Sequence, residues 1–189
     1  MKKIILFSII LMLSMSIELE ARCKIKSVNG QTQKIFNSLE LQVDVMTNYC
    51  LFKKNNSSHI MMLQGGSNYY VFLTILRGPT RNFVITTYDS LVLFLSNGEK
   101  IVLSPCGNFG AYYKALVYTS EINCAYKIEK EQLKILAGKE VDMVSVHYTS
   151  KSKLSGSQID QDGKLSLDYE VSKMYKTNIG NLAQCILNR

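Results

Sequence analysis

The chain has 189 residues, with 22 Lys and Arg against 15 Asp and Glu, two His and five Cys, and a formal net charge of +7. Its length suits one domain and is marginal for two, and it contains no internal repeat and no low-complexity tract. The basic charge suits a partner with negative charge, but it is spread along the chain without a run longer than two like charges, which favours plain solubility as its explanation.

The first residues are typical of a targeting segment. Lys2 and Lys3 precede a nearly continuous apolar run over residues 4–15, which is shorter than the ~20 residues that a membrane-spanning helix needs. We therefore predict a signal peptide over residues 1–21, cleaved after Ser16 or Ala21. The mature chain is expected to be extracytoplasmic: periplasmic, secreted or on the cell surface of a bacterium.

Two alternatives to cleavage stay open at this end of the chain. One is an uncleaved N-terminal anchor. The other is a lipid anchor on Cys23, although Arg22 stands where a lipidated cysteine normally has a small neighbour. In the cleaved case, residues 22–189 form one β-rich globular domain, and the membrane is contacted only in the two alternatives.

The five cysteines all follow the apolar segment, and they are Cys23, Cys50, Cys106, Cys124 and Cys185. In an oxidising compartment such cysteines pair, so we predict at most two disulfides with one thiol left over. The absence of a Cys-x-x-Cys motif argues against a zinc ribbon or a redox motif. Five buried, unpaired thiols are the alternative.

Before residue 105 the apolar pattern predicts a series of antiparallel strands. The clearest alternation runs over residues 39–45, and Asn97-Gly98 predicts a hairpin with a two-residue type I′ turn. We further predict an edge strand over residues 23–28 that ends at Asn29-Gly30, with a connector over 31–37. Shorter strands are predicted at 49–52, 59–63, 69–76, 83–87, 91–95 and 100–103.

The later part of the chain predicts strands and two helices. Strands are predicted at 111–118, 141–149 and 165–171, the last after an Asp162-Gly163 turn. One helix is predicted over 129–137 with Gly138 as its left-handed stop, and the other over 179–187 with Thr177 or Asn178 as its cap. The expected fold class is α+β: mainly antiparallel sheet, a meander closed as a sandwich or partial barrel, with two short helices in the C-terminal third.

The second helix also singles out one cysteine. Its apolar residues at 179, 182, 183, 186 and 187 form one stripe, and Cys185 lies roughly 130° away from the centre of that stripe. Cys185 is therefore the first candidate for a disulfide end.

Candidate catalytic residues are few. Cys106, in a Ser-Pro-Cys-Gly turn, could act as a nucleophile with His147 or His59 as its base and Asp142 or Asn108 orienting that base. The alternative is that each histidine is a polar residue on the solvent-exposed face of a sheet. That alternative needs no catalytic partner, and we favour it.

One segment resembles part of a calcium-binding loop. Asp160, Asp162 and Gly163 would stand at positions three, five and six of an EF-hand, but Gln158 and Tyr169 then occupy positions one and twelve, where carboxylates are needed. A hairpin turn explains the same residues. We expect neither a metal nor another cofactor.

These observations favour a non-enzymatic extracytoplasmic module that binds an anionic envelope or surface component or another protein. The tyrosine doublets Tyr69-Tyr70 and Tyr112-Tyr113 each predict one core ring and one surface ring, since neighbouring strand residues point to opposite faces. Nucleic acid is not an expected partner of an exported protein. The alternatives are a structural subunit that pairs through exposed strand edges and a Cys–His hydrolase.

Overall fold

The computed structural model describes residues 24–35, 39–51, 58–77, 83–114, 119–149, 157–159 and 163–189. It confirms the predicted fold class, because the chain is mostly antiparallel β-sheet, 56% strand, with two helices and no closed barrel within these residues. The proposed signal segment, Cys23 and the calcium-loop candidates Asp160 and Asp162 lie outside the described residues. Among the described residues, no helix is long and apolar enough to cross a membrane.

A large antiparallel sheet carries seven strands in the order β1-β2-β4-β5-β11-β10, with β3 also paired to β4. Its strands are β1 (Ile25–Ile35), β2 (Leu39–Thr47), β3 (Cys50–Leu51), β4 (His59–Gly65), β5 (Asn68–Arg77), β10 (Tyr112–Lys114) and β11 (Thr119–Ile128). The alternation predicted over residues 39–45 is confirmed, since Leu41, Val43 and Val45 are all buried.

A smaller sheet of five strands has the order β13-β14-β12-β7-β8, and β6 and β9 form a separate pair. The strands are β6 (Val84–Ile85), β7 (Ser90–Leu95), β8 (Lys100–Leu103), β9 (Phe109–Gly110), β12 (Val141–Tyr148), β13 (Gln158–Ile159) and β14 (Leu165–Glu170). Strand β12 lies between β7 and β14, so segments distant in the sequence complete this sheet.

The helices are α1 (Lys130–Leu136) and α2 (Asn178–Leu187), with a 3-10 turn over Lys173–Tyr175. Gly138 takes the predicted left-handed conformation after α1, with φ of 68°. The Gly138 N–H donates to the Gly180 carbonyl over 3.1 Å, which joins the end of α1 to the first turn of α2. A Cβ at Gly180 would lie 2.2 Å from the Lys139 carbonyl oxygen, so this contact needs glycine.

One hydrophobic cluster joins both sheets and both helices. The T-shaped contact between Phe83 and Tyr148, with ring centroids 4.8 Å apart, is part of it. Helix α2 contributes Ile179, Leu182 and Ile186, all buried, so its predicted apolar stripe is confirmed. The second helix therefore covers a face of the large sheet, where it contacts β2 and β4.

Asp89 ties two segments of this core together although only 3% of its surface is exposed. Its Oδ2 accepts hydrogen bonds from the Thr86 N–H and hydroxyl, at 2.6 and 3.1 Å. Its Oδ1 accepts from the Thr149 N–H and hydroxyl, at 2.8 and 2.9 Å. The carboxylate thus connects the turn before β7 to the end of β12.

Two strand predictions are wrong in detail. Strand β1 does not end at Asn29-Gly30 but continues to Ile35, with a register shift between Ser27 and Gln31. Such a bulge lets the chain pass turn-prone residues without leaving the sheet. The expected strand over 83–87 shortens to β6, because Asp89 holds the residues that follow in a turn.

The hairpin between β7 and β8 is confirmed, but its loop differs from the predicted one. The Leu95 N–H donates to the Glu99 carbonyl and the Gly98 N–H donates to the Leu95 carbonyl, so three residues form the loop. Gly98 has φ of 87°. A three-residue loop with a left-handed glycine replaces the two-residue type I′ turn.

Candidate functional site

A cleft of about 430 Å³ opens where the end of α2 lies beside the large sheet. It is lined by Asp44, Val45, Gln64, Tyr69, Lys130, Ile186, Leu187 and Arg189. This volume lies in the range of small-molecule sites in proteins, roughly 300–1,000 Å³. Three strands of the large sheet, both helices and Arg189 after α2 contribute to the lining, so the cleft depends on the packing of the helices on this sheet.

Polar and charged side chains make up most of the lining of the cleft. Val45 and Ile186 are buried, at 1% and 2% exposure, whereas Gln64 and Tyr69 are half-buried. Gln64 and Tyr69 face each other as a register pair of β4 and β5. Gln64 and Tyr69 therefore offer surface to a bound molecule, whereas Val45 and Ile186 offer very little.

The charged groups of the cleft differ in their bonding. Asp44 already has a partner, because its Oδ2 accepts a 2.6 Å hydrogen bond from the Gly66 N–H at the tip of the β4–β5 hairpin. Lys130 and Arg189 are exposed and have no ion pair or side-chain hydrogen bond with any residue that the structure describes. Two cationic side chains and one engaged carboxylate side chain therefore line the cleft.

A second polar cluster lies on the outer face of the small sheet. The Ser145 hydroxyl lies 3.0 Å from the His147 Nε2 and donates to the Asp168 carboxylate. Ser166, opposite His147, also donates to Asp168, at 3.5 Å. The cross-strand register of β12 and β14 brings these residues to one face.

This cluster contains the residue types of a hydrolase triad in a different arrangement. In a triad the carboxylate orients the histidine, which in turn takes the proton of the serine. Here the serine stands between the imidazole and the carboxylate, and its proton goes to Asp168. Ser145 is also 1% exposed, so its hydroxyl links two strands and is closed to a substrate.

Cys106, the proposed nucleophile, lies in the loop after β8 beside β11. Its N–H donates to the Ala125 carbonyl over 2.8 Å. Burial raises the pKa of its thiol to about 11, against the opposing effect of the nearby Lys127 ammonium. Cys106 is therefore a protonated thiol at neutral pH, whereas nucleophilic cysteines have lowered pKa values.

The other residues of the Cys–His hypothesis have interactions of their own. The His59 ring packs on Tyr49, with centroids 4.9 Å apart. His147 belongs to the cluster with Ser145. Asp142 forms an ion pair with Lys176 at 2.5 Å, and Asn108 is exposed in the loop before β9.

Among the disulfide candidates, Cys50, Cys106 and Cys124 carry free thiols. Burial raises the pKa of Cys50 to about 12 and raises the pKa of Cys124 well above its ordinary value. Cys185 is half-buried on α2 and is not one of the free thiols. The described residues contain no group of three or more His, Cys, Asp or Glu that could hold a metal ion.

Sequence reasoning singled out one residue of the cleft, Tyr69, and missed the others. The expected split of the doublet into a core ring and a surface ring is wrong, because Tyr69 and Tyr70 are both half-buried. Tyr69 lines the cleft, while Tyr70 lies near Cys106 and Lys127 on the other face. The remaining lining residues carry no local signal, since they meet only through the packing of α2 on the sheet.

No protein family model, no curated protein sequence and no solved structure matches this chain.

Proposed function

We propose that this protein is an extracytoplasmic, non-enzymatic module that binds a small ligand in the cleft between the large sheet and α2. The observation that carries the proposal is the cleft itself, about 430 Å³, with a largely polar lining that includes two cations without an ion pair among the described residues. Its walls come from strands with several neighbours, which supports a site formed before the ligand arrives.

The chemistry of the reactive side chains supports binding over catalysis. The Cys106 thiol is protonated at neutral pH, and the buried Ser145 hydroxyl donates to the Asp168 carboxylate on the outer face of the small sheet. Neither group lines the cleft. A reaction in the cleft would have to use other groups.

The cleft can be tested by filling it. Leu187 is half-buried and lines the cleft, so Leu187→Trp places a large ring inside it. The matched control is Ile135→Trp, since Ile135 is 45% exposed on α1 and is not a lining residue. The natural chain contains no Trp, so in each variant the new indole also reports directly that the protein is folded.

The probe is 1-anilinonaphthalene-8-sulfonate, an aromatic sulfonate whose fluorescence increases in apolar sites. We expect binding with one site per chain in the natural protein and in Ile135→Trp, and a loss of at least tenfold in affinity in Leu187→Trp. Equal binding to all three proteins would refute the cleft as the site.

We also propose that the mature chain carries a disulfide between Cys185 and Cys23, a bond that an oxidising extracytoplasmic compartment permits. The other three cysteines carry free thiols, so Cys23 is the remaining candidate partner. Lys24, its neighbour, is held beside the end of β2, because its N–H donates to the Asn48 side chain over 2.9 Å. Helix α2, which bears Cys185, contacts β2.

An intact mass of the exported protein, with free thiols alkylated, tests this pairing. We expect three alkylated cysteines without reduction and five after reduction, and we expect Cys185→Ser to free the thiol of Cys23. Five alkylated cysteines on a full-length, unreduced chain would overturn both the disulfide and the export proposal.

A further inference from the structure

We propose that the outer face of the small sheet is the contact surface of a homodimer, in which two copies of the chain stack face to face. The proposal goes beyond the proposed function and does not depend on the cleft. It rests on the order in which apolar and charged side chains follow each other across four neighbouring strands.

The strand register defines one row of side chains across this face. Lys100 on β8 lies opposite Phe94 on β7. Met143 on β12 lies between Phe94 and Glu170 on β14. Met143 is two residues from Ser145, so the row lies on the same outer face as the Ser145 cluster. The row therefore runs from a cation through two apolar side chains to a carboxylate.

The apolar side chains of this face are available to a partner. Val102, in the next row on β8, is 48% exposed, and Phe94 and Met143 are half-buried. None of these three belongs to the hydrophobic cluster that the described residues form between the sheets and the helices. Neighbouring apolar side chains left in contact with water on one face favour burial against a second surface.

The two ends of the row carry opposite charges. Lys100 and Glu170 are exposed, and neither has an ion pair or a side-chain hydrogen bond with any residue in the described ranges. Three strand spacings of about 4.8 Å separate them, so they cannot pair with each other within one chain. Asp168, in the next row on β14, already accepts hydrogen bonds from Ser145 and Ser166. Lys100 and Glu170 are thus the charges that remain for a partner.

This order of side chains makes the face complementary to a second copy of itself. A two-fold axis parallel to the strands, between β7 and β12, places β8 of one copy over β14 of the other. Lys100 of each copy then faces Glu170 of the partner subunit, so the isologous contact forms two ion pairs. Phe94 of each copy faces Met143 of the partner subunit, and contacts between a thioether and an aromatic ring are favourable.

Other partners fit this face less well. A surface with a single sign of charge would satisfy only one end of the row. Aligned stacking, with the strands of the two copies within about 30° and the sheets about 10 Å apart, is an ordinary geometry for two antiparallel sheets. A second copy therefore matches both the charges and the shape of the face.

The contact is small, so the dimer should be weak. Four strands at a spacing of about 4.8 Å span only about 15–20 Å. The interface is therefore smaller than the standard size of about 1,600 Å². The net charge of +7 also opposes self-association. We expect a reversible equilibrium that depends on protein concentration.

Sedimentation equilibrium of the mature protein over about a hundredfold range of concentration tests the proposal. We expect a monomer–dimer equilibrium, with no covalent dimer on a non-reducing gel. Lys100→Glu and Glu170→Lys should each weaken dimerisation about tenfold, because each change turns two symmetry-related contacts from attraction to repulsion. The double variant Lys100→Glu/Glu170→Lys restores opposite charges across the interface and should dimerise like the natural protein.

The matched control is Lys26→Glu. Lys26 is exposed on β1 of the large sheet, and the control has the same net charge as Lys100→Glu. It should dimerise like the natural protein. Urea midpoints within error of the natural protein establish that the variants are folded.

A monomer at every concentration would overturn the proposal. Self-association that neither single change weakens would place the contact elsewhere, such as at a strand edge, and would overturn it as well. Single variants that dimerise weakly without recovery in the double variant would show that Lys100 and Glu170 do not meet across the interface.

Discussion

Removal of the Asp89 carboxylate should destabilise the protein more than removal of any exposed acidic side chain. Asp89→Ala deletes four hydrogen bonds, two of them from the backbone N–H groups of Thr86 and Thr149. Backbone donors cannot rotate to another acceptor. Hydrogen bonds to a charged group contribute about 1.5–3 kcal/mol each, so the two backbone bonds together account for about 3–6 kcal/mol.

Hydration of the two N–H groups compensates part of this loss of free energy. Thr86 is half-buried and Thr149 is exposed, so both N–H groups can be hydrated once the carboxylate is gone. We therefore expect Asp89→Ala to lower the free energy of unfolding by about 2–4 kcal/mol. Asp89→Asn keeps one acceptor oxygen, so it should lower the free energy of unfolding by about half as much as Asp89→Ala.

Urea unfolding followed by circular dichroism measures this effect, with the slope unchanged and the midpoint lowered. The control is Glu131→Ala, which removes an exposed carboxylate and its surface ion pair with Lys134, and should change stability by less than about 0.5 kcal/mol. If Asp89→Ala unfolds like this control, the carboxylate does not hold the two segments together, and our reading of the network is wrong.

Three further outcomes are expected. The Lys176 ammonium and then the Ser96 hydroxyl lower the pKa of Asp142 below its ordinary 3.8, so its ionised form stabilises the fold above that pH. The stability difference between the natural protein and Asp142→Asn, from urea midpoints, should be largest near pH 6 and shrink as the pH falls below 3.8; a constant difference would contradict the pairing. Because the pKa of Cys106 is raised to about 11, its alkylation by iodoacetamide should be slow at pH 7, and its rate should rise about tenfold per pH unit above that. Fast labelling at pH 7 would restore the nucleophile hypothesis. Gly180→Ala should lower the free energy of unfolding in urea by about 1–3 kcal/mol, because the new Cβ meets the Lys139 backbone. The control Gly110→Ala places its Cβ in open space, with nothing within 4 Å, and should lower it by less. Equal losses in the two variants would refute the contact.

The sequence predicted correctly those helices and strands whose hydrophobic pattern and end signals all lie within their own residues. The helix at 130–136 follows from its helix-forming residues and Gly138, and β12 follows from the alternation of Val144, Val146 and Tyr148. In both elements the apolar residues recur at the spacing of one face, and that face is the buried one. No knowledge of the neighbouring elements was needed.

Strand β11, in the interior of the large sheet, was missed although its signal is present. Ile122, Cys124, Tyr126 and Ile128 alternate with less apolar residues and are all buried. Polar residues at 121, 123 and 127 complete this period-2 pattern, so the strand could have been predicted from the sequence. One of them, Asn123, is buried because it accepts a 2.7 Å hydrogen bond from Thr74 on β5, a partner that only the sheet register supplies.

The cleft and the Ser145 cluster could not be predicted from local patterns. Ser145 meets Asp168 because β12 and β14 pair in one register, and a shift by one residue would turn these side chains to opposite faces. Lys130 and Arg189 line one cavity because α2 packs on the large sheet. Both arrangements depend on contacts between segments that are far apart in the sequence.

The interleaving of the two sheets has a consequence for the order in which the molecule can assemble. Strand β11 pairs with β5, and β12 pairs with β7, on the order of fifty residues away in the sequence. When the hairpins β4–β5 and β7–β8 have formed, each still presents an open edge that awaits a strand from the later part of the chain. Assembly of this chain should therefore be slow, and it should need protection from aggregation until β11 and β12 arrive.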